Sequence, residues 1–204
     1  MNSGNQLDYD HIVVGGGAMG ASTAWQLAKR GRSVLLIEQF TKDHVSGSSH
    51  GGTRIFRLGH EQRTYTTLGI AALDLWRELE AESNETLVEL IGHVDHGPAA
   101  VVADIESNLK NQGLACERMS PAQANERWPG ITFDANVVYS PDGGRAHAQR
   151  TVETLWRRIV ELGGEIWNNT KVRSVQIDGE YAVVETAEQT LRTKSVVVAA
   201  GAWL

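Results

Sequence analysis

Between Ser46 and Arg57 the chain reads SGSSHGGTRIFR, with three serines, three glycines, a histidine, a threonine and two arginines in twelve positions. The stretch is too polar for a core and too particular for a linker, and the question it raises is which small molecule it holds. A guanidinium can pair with a carboxylate through two parallel hydrogen bonds, so the arginines are candidates for gripping an acid. The competing reading is a polar surface loop whose arginines make ordinary salt bridges.

A second group of chemically useful residues lies upstream. Gly15, Gly17 and Gly20 stand in G-x-G-x-x-G spacing directly after the apolar run Tyr9–Val14. Ala18 to Arg30 follows as good helix formers stopped by Gly31, and Ser33 to Ile37 reads as a fully buried strand closed by Glu38. Together these make a βαβ unit. In such a unit the first glycine forms the tight turn, the second lets a pyrophosphate reach the backbone, and the third packs helix on strand. The N–H groups opening the helix, at Ala18 and Met19, face the phosphates. An acid at the end of the second strand accepts hydrogen bonds from a ribose diol and repels a 2′-phosphate, so Glu38 points to FAD or NAD and away from NADP.

The remaining pattern alternates helices and strands. Thr67 to Glu82 predicts a packing helix with Leu68, Ala72, Leu75, Trp76 and Leu79 on one face, and Val88 to Val94 a strand. Pro98 to Gln112 predicts a helix stopped by Gly113. Ser120, Pro121 and Gln123 form an N-cap, N1 proline and N3 glutamine that begin a short helix. Ala148 to Leu162 predicts a strong amphipathic helix. Strands are expected at 165–167, 171–177, 181–186 and 189–193, and a buried strand at Ser195–Gly201. The fold class is therefore α/β: a Rossmann-like dinucleotide-binding domain, residues 1–90 and 146–204, with part of an inserted α+β substrate domain over 91–145. The buried last strand calls for a crossover and further elements, so the chain is expected to be truncated.

Bulk properties narrow the classes further. The 204 residues carry a formal net charge of −6, and their 19 lysines and arginines are scattered, so no basic stripe invites nucleic acid. The start lacks a basic region followed by an apolar one, and no stretch approaches a membrane span, so the expected location is cytoplasmic, with no membrane partner. A single cysteine, Cys116, excludes an internal disulfide and a structural thiolate zinc site. His93 and His96 sit in H-V-D-H, where a strand points them to opposite sides with no third ligand evident, so no metal is expected. His11, His44, His60 and His147 are read as structural or solvated.

With these residues in view, the sequence resembles the FAD-dependent amine oxidoreductases of the D-amino acid oxidase superfamily, and within it the monomeric sarcosine oxidase and N-methyltryptophan oxidase group. The matching residues are Gly15, Gly17, Gly20 and Glu38, the stretch from Gly47 to Arg57, the segment Arg127-Trp128-Pro129-Gly130-Ile131 and the final Ala200-Gly201-Ala202-Trp203. The resemblance implies FAD as cofactor, with Ser48, Ser49 and Thr53 along its pyrophosphate and ribityl chain and His50 and Arg54 against the flavin ring. It further implies that Val172 contacts the adenine portion through its backbone and that Gly201 lies at the cofactor. Arg57 would bind the carboxylate of an N-methyl or cyclic amino acid, making His50, Arg54 and Arg57 the catalytic set of this chain.

The implied reaction oxidises the C–N bond of a secondary amino acid such as sarcosine, with O2 as acceptor and H2O2 as product. The family's flavin-attaching cysteine and oxygen-activating lysine are expected in a second half outside this chain, and Cys116 does not stand at the attachment position. The alternatives are a non-catalytic FAD-binding fragment or one part of a split flavoenzyme, and an NAD-binding module.

Overall fold

The structure, a computed structural model, describes residues 7–204. In chain order its elements are β1 (Tyr9–Val14), α1 (Ala18–Lys29), β2 (Val34–Ile37), β3 (Arg54–Phe56), α2 (Arg63–Ser83), β4 (Val88–Glu89), β5 (His93–His96), α3 (Ala99–Asn111) and β6 (Glu117–Met119). There follow α4 (Pro121–Arg127), β7 (Val137–Ser140), β8 (Gly144–Ala146), α5 (Ala148–Glu161), β9 (Glu165–Trp167), β10 (Ser174–Asp178), β11 (Tyr181–Glu185) and β12 (Thr190–Val198), with a 3-10 turn over Gly201–Trp203. They form two compact units, one of the described residues up to Gly52 together with Ala148–Leu204, the other of Thr53–His147.

The first unit is built on a six-stranded sheet in the order β10-β11-β12-β1-β2-β9. β1 is parallel to β12 and to β2, and β2 to β9. β10, β11 and β12 are joined antiparallel. All four residues of β2 are buried, as a strand covered on both faces requires. α1 buries Gly20, Ala21, Ala24, Trp25 and Ala28, the small residues letting it lie close to its neighbours. The two strands expected at 189–193 and 195–201 are one: the first part of β12 pairs with β11 and the second with β1. Nor is its end fully buried, since Val198 is 45% exposed; an apolar run does not by itself distinguish two covered faces from one.

The second unit holds two three-stranded antiparallel sheets, β3-β8-β4 and β5-β7-β6. Its edges fall at Gly52/Thr53 and His147/Ala148, whereas the sequence pattern put them at 90/91 and 145/146. The first difference arises because both β3 and β4 pair with β8, which ties residues 54–89 to 144–146. The helix α2 differs in part from expectation: Trp76 packs on the core of Phe56, Leu58, Val102, Ile105, Leu109 and Val138 and Leu79 is buried, as expected, but Leu68 and Leu75 are exposed and Ile70 and Leu73 pack on that core instead. The strand expected at 88–94 is split in two at Gly92, whose φ of +88° breaks the extended run. α4 begins with the expected capping box: Ser120 Oγ accepts from the Gln123 N–H, and Gln123 Oε1 accepts from the Ser120 N–H. Among the described residues no helix is long and apolar enough to cross a membrane.

Candidate functional site

In the first unit, β2 and β12 flank β1 on opposite sides, so the strand order reverses at β1. In open parallel sheets a crevice opens outside the strand ends at that point. The glycine turn lies there. Gly15 has φ +106°, its N–H donates to the Ile37 carbonyl at 2.8 Å, and an added Cβ would stand 2.5 Å from the Ala199 oxygen. Backbone strain and crowding both restrict the position to glycine. Gly20, two residues into α1, lies so close beneath that a Cβ would come within 1.8 Å of the Gly15 oxygen. The close packing expected of the third glycine is thus present.

Glu38 follows β2 at the same edge and is 6% exposed. Its Oε2 accepts from the Gly16 N–H at 2.7 Å and its Oε1 from the Phe40 N–H at 3.0 Å, so the acid braces the glycine turn. A carboxylate has about four lone-pair positions, which leaves acceptor capacity for a diol. The Glu38 backbone carries the chain into the neighbouring strand: its N–H donates to Trp167 O and its carbonyl accepts from the Thr170 N–H, bringing Lys171 and Val172 alongside. At the start of α1, Ser49 Oγ accepts the Ala18 N–H at 2.9 Å, a donor that helical geometry leaves without an intrahelical acceptor. The His50 ring bonds the Gly47 carbonyl through Nδ1.

These segments enclose a cavity of about 350 Å³, in the range of small-ligand sites. Gly15, Gly17, Ala18, Met19, Glu38, Ser48, Ser49, His50, Val172 and Gly201, all singled out from sequence, line it. Gly20 lies behind the lining, in its packing role. The cavity also gathers residues that the sequence pattern did not mark as ligand-facing: Phe40, His44, Trp156 and Trp203. Trp203 donates through Nε1 to the Ser46 carbonyl at 3.0 Å and meets the Phe40 ring edge-on at 5.3 Å. His44 Nε2 stands 3.8 Å from Glu38 Oε1, so the residue read as structural borders the site. Trp156 of α5 donates its buried Nε1–H to the Gly16 carbonyl at 2.9 Å. Heptad-like spacing marks Trp156 as a packing residue, and no local signal reveals that its indole reaches the turn. Trp156→Phe is expected to lose that bond at a cost of about 1 kcal/mol, lowering the melting temperature by roughly 2–4 °C in a thermal scan.

Thr53, Arg54 and Arg57 belong to the second unit, and none of them is in the cavity lining. Arg54 Nη1 donates to the Thr53 carbonyl at 2.7 Å. Arg57, just past β3, donates through Nη1 to Asp95 Oδ1 at 3.1 Å, and His93 Nε2 meets the same oxygen at 3.1 Å. Burial and then the Arg57 charge hold the nearby His60 imidazole below its usual range. Asp95 was missed at the sequence level. The available signal was the i, i+2 spacing of His93 and Asp95, which puts both on one side of β5. Among the described residues no three His, Cys, Asp or Glu side chains gather as a metal-binding group. Burial pushes the Cys116 thiol up, which disfavours its reactive thiolate.

A sheet whose order reverses at a glycine turn, with an acid closing β2, defines a dinucleotide-binding protein. The chain belongs to the FAD dependent oxidoreductase (DAO) family, which it matches over residues 10–204, and the family's cofactor is FAD. It is 33% identical over 202 residues to the monomeric sarcosine oxidase of Bacillus sp. (strain B-0618), covering 96% of this chain and 52% of that enzyme. It is 30% identical over 203 residues to the N-methyl-L-tryptophan oxidase of Yersinia pestis (strain Pestoides F), covering 97% and 55%. Among solved structures, the open form of NikD, an unusual amino acid oxidase essential for nikkomycin biosynthesis, superposes with a TM-score of 0.84 at 28% identity, covering 96% of this chain and 52% of that one. The L-proline dehydrogenase of P. horikoshii shares the fold, with a TM-score of 0.81 at 23% identity, covering 98% and 54%. The chain spans about half the length of the curated relatives it matches. The donor set fits FAD: backbone N–H groups at the start of α1 suit a pyrophosphate, and Glu38 suits a diol.

Proposed function

We propose that the chain supplies the FAD-binding part, and the carboxylate contact for the substrate, of a flavin amine oxidase acting on a secondary amino acid of the N-methyl or cyclic type. The observation that carries the reading is the convergence of the glycine turn, Glu38, Ser48–His50, Val172 and Gly201, from separate parts of the sequence, on one cavity. On this reading Gly15, Gly17, Ala18 and Met19 hold the pyrophosphate, Glu38 the ribose diol, and the Val172 backbone the adenine. Ser48, Ser49 and Thr53 serve the pyrophosphate and ribityl chain, and His50 and Arg54 attend the flavin ring. The first unit is then the FAD-binding domain and the second a portion of the substrate domain.

FAD held by these residues would supply the redox chemistry, oxidation of the C–N bond with O2 as the final acceptor and H2O2 as product. The protein's own contribution is to bind and orient. Arg57 pairs with the substrate carboxylate, fixing which end of the molecule enters. Arg54 would place its positive charge at the flavin ring, where it would favour negative charge. The relatives' names support the substrate class, since one is a sarcosine oxidase and another an N-methyl-L-tryptophan oxidase.

The test is direct. The purified 204-residue chain, mixed with FAD or with NAD and passed through a desalting column, is expected to retain flavin absorbance and no nicotinamide. Retention of NAD alone would overturn the cofactor assignment. Flavin retention without peroxide release from sarcosine would favour the reading of an FAD-binding part without activity of its own.

A further inference from the structure

The carboxylate of Asp95 is 8% exposed, while the Arg57 side chain that it meets is 45% exposed. Asp95 uses one oxygen, Oδ1, for both Arg57 Nη1 and His93 Nε2, each at 3.1 Å. The other oxygen, Oδ2, is buried without a hydrogen-bond partner. It faces Gly59, where an added Cβ would stand 2.6 Å from Oδ2 and 3.0 Å from Ile105 Cγ2. The carboxylate is therefore walled in and offers a single fixed acceptor to the arginine. As a stabilising device this is poor: a half-exposed ion pair contributes little, and an unpartnered interior oxygen is unfavourable. A device that orients the guanidinium accounts for both features. Nη1 is committed to Asp95, and among the described residues no other side-chain acceptor meets the guanidinium.

We propose that Asp95 is a positioning residue for Arg57, holding one prong of the guanidinium in the interior so that Nε and Nη2 are presented to the carboxylate of a ligand. The proposal rests on the reading of Arg57 as the substrate-carboxylate contact. An arginine that is free to sample its rotamers loses that freedom on binding; one already held has less to lose, and its fork is pre-organised for a bidentate pair. His93 Nε2, on the same oxygen at 3.1 Å, gives Asp95 a second contact that fixes the carboxylate in place.

The experiment uses the isotope-labelled 204-residue chain, with the Arg57 side-chain resonances and a titration with N-methylglycine as its two readouts. The wild-type guanidinium is expected to give separate Nη resonances, reflecting slow rotation. D95V is expected to merge them and to weaken N-methylglycine binding about tenfold. Unchanged resonances, unchanged affinity, or tighter binding in D95V would each overturn the proposal, the last because Asp95 would then compete with the ligand. If D95V does not fold, D95A removes the acceptor with a smaller side chain, and its resonances decide: merging supports the hold, and persistence overturns it. R57M separates the two layers. If it binds N-methylglycine as tightly as wild type, the carboxylate reading itself fails; if it loses binding while D95V does not, only the role of Asp95 fails.

Discussion

Gly20→Ala is expected to abolish stable FAD binding and to lower the melting temperature by roughly 6–12 °C, from an overpacking cost of about 3 kcal/mol. The new methyl group would stand 1.8 Å from the Gly15 carbonyl oxygen and 3.4 Å from Ala199 Cβ. The first of these obstacles is backbone, which cannot rotate away as a flexible side chain would. Alanine is the better helix former by about 1 kcal/mol, so propensity alone forecasts stabilisation. The clash outweighs it, because relief requires α1 to lift away from β1. That movement would take the Ala18 N–H away from Ser49 Oγ and spoil the cradle that the first helical turn makes. Gly97→Ala is the control, since nothing lies within 4 Å of its added Cβ and its φ is ordinary; it is expected to change stability by less than about 0.5 kcal/mol. A Gly20→Ala protein that binds FAD as wild type does, measured by flavin fluorescence quenching, would remove the close-packing role.

Much of this architecture is legible in the sequence because its signals are local. β1 and β9 occupy the residues that their apolar runs indicate, and α1, α3 and α4 begin and end at the expected caps within a residue or so. The glycine turn is legible for the same reason: G-x-G-x-x-G, the helix formers and Glu38 all lie within one continuous stretch. What escaped the sequence was set by partners far along the chain. β3 carries only Arg54, Ile55 and Phe56, too short for an alternation to show, and its strand character comes from β8, 90 residues away (Arg54 opposite Ala146, Phe56 opposite Gly144). The buried face of α2 is displaced for a related reason. Leu68 and Leu75 satisfy helical spacing, yet the core that receives the helix takes Ile70 and Leu73 in their place, beside the expected Trp76. Glu38 was marked for a ligand, but its hold on the Gly16 and Phe40 N–H groups depends on where β2 delivers it. Trp156 and Asp95 are ordinary residues for their elements, and only tertiary placement puts one on the turn and the other on Arg57.

Arg57→Met is the substitution whose effect bears most directly on the substrate. On the proposed function it is expected to lower kcat/KM for N-methylglycine about 30-fold, which corresponds to about 2 kcal/mol, chiefly through a rise in KM. The figure is moderate because the arginine is half-exposed and already shared with Asp95, so the ligand gains less than it would from a desiccated, unshared guanidinium. Methionine keeps much of the side-chain length and apolar bulk while removing every donor. The decisive comparison is a secondary amine without a carboxylate, whose KM should not change, because the lost interaction needs the acid to exist. A rise of the same size for both substrates would instead report a general disturbance around Asp95, which Arg57→Met leaves with His93 as its remaining side-chain partner. Arg57→Lys refines the argument: it restores the charge without the planar fork, so partial recovery of KM assigns the remainder to bidentate geometry. Full recovery by lysine would mean that charge alone selects the acid and that the orientation of the guanidinium is irrelevant to specificity.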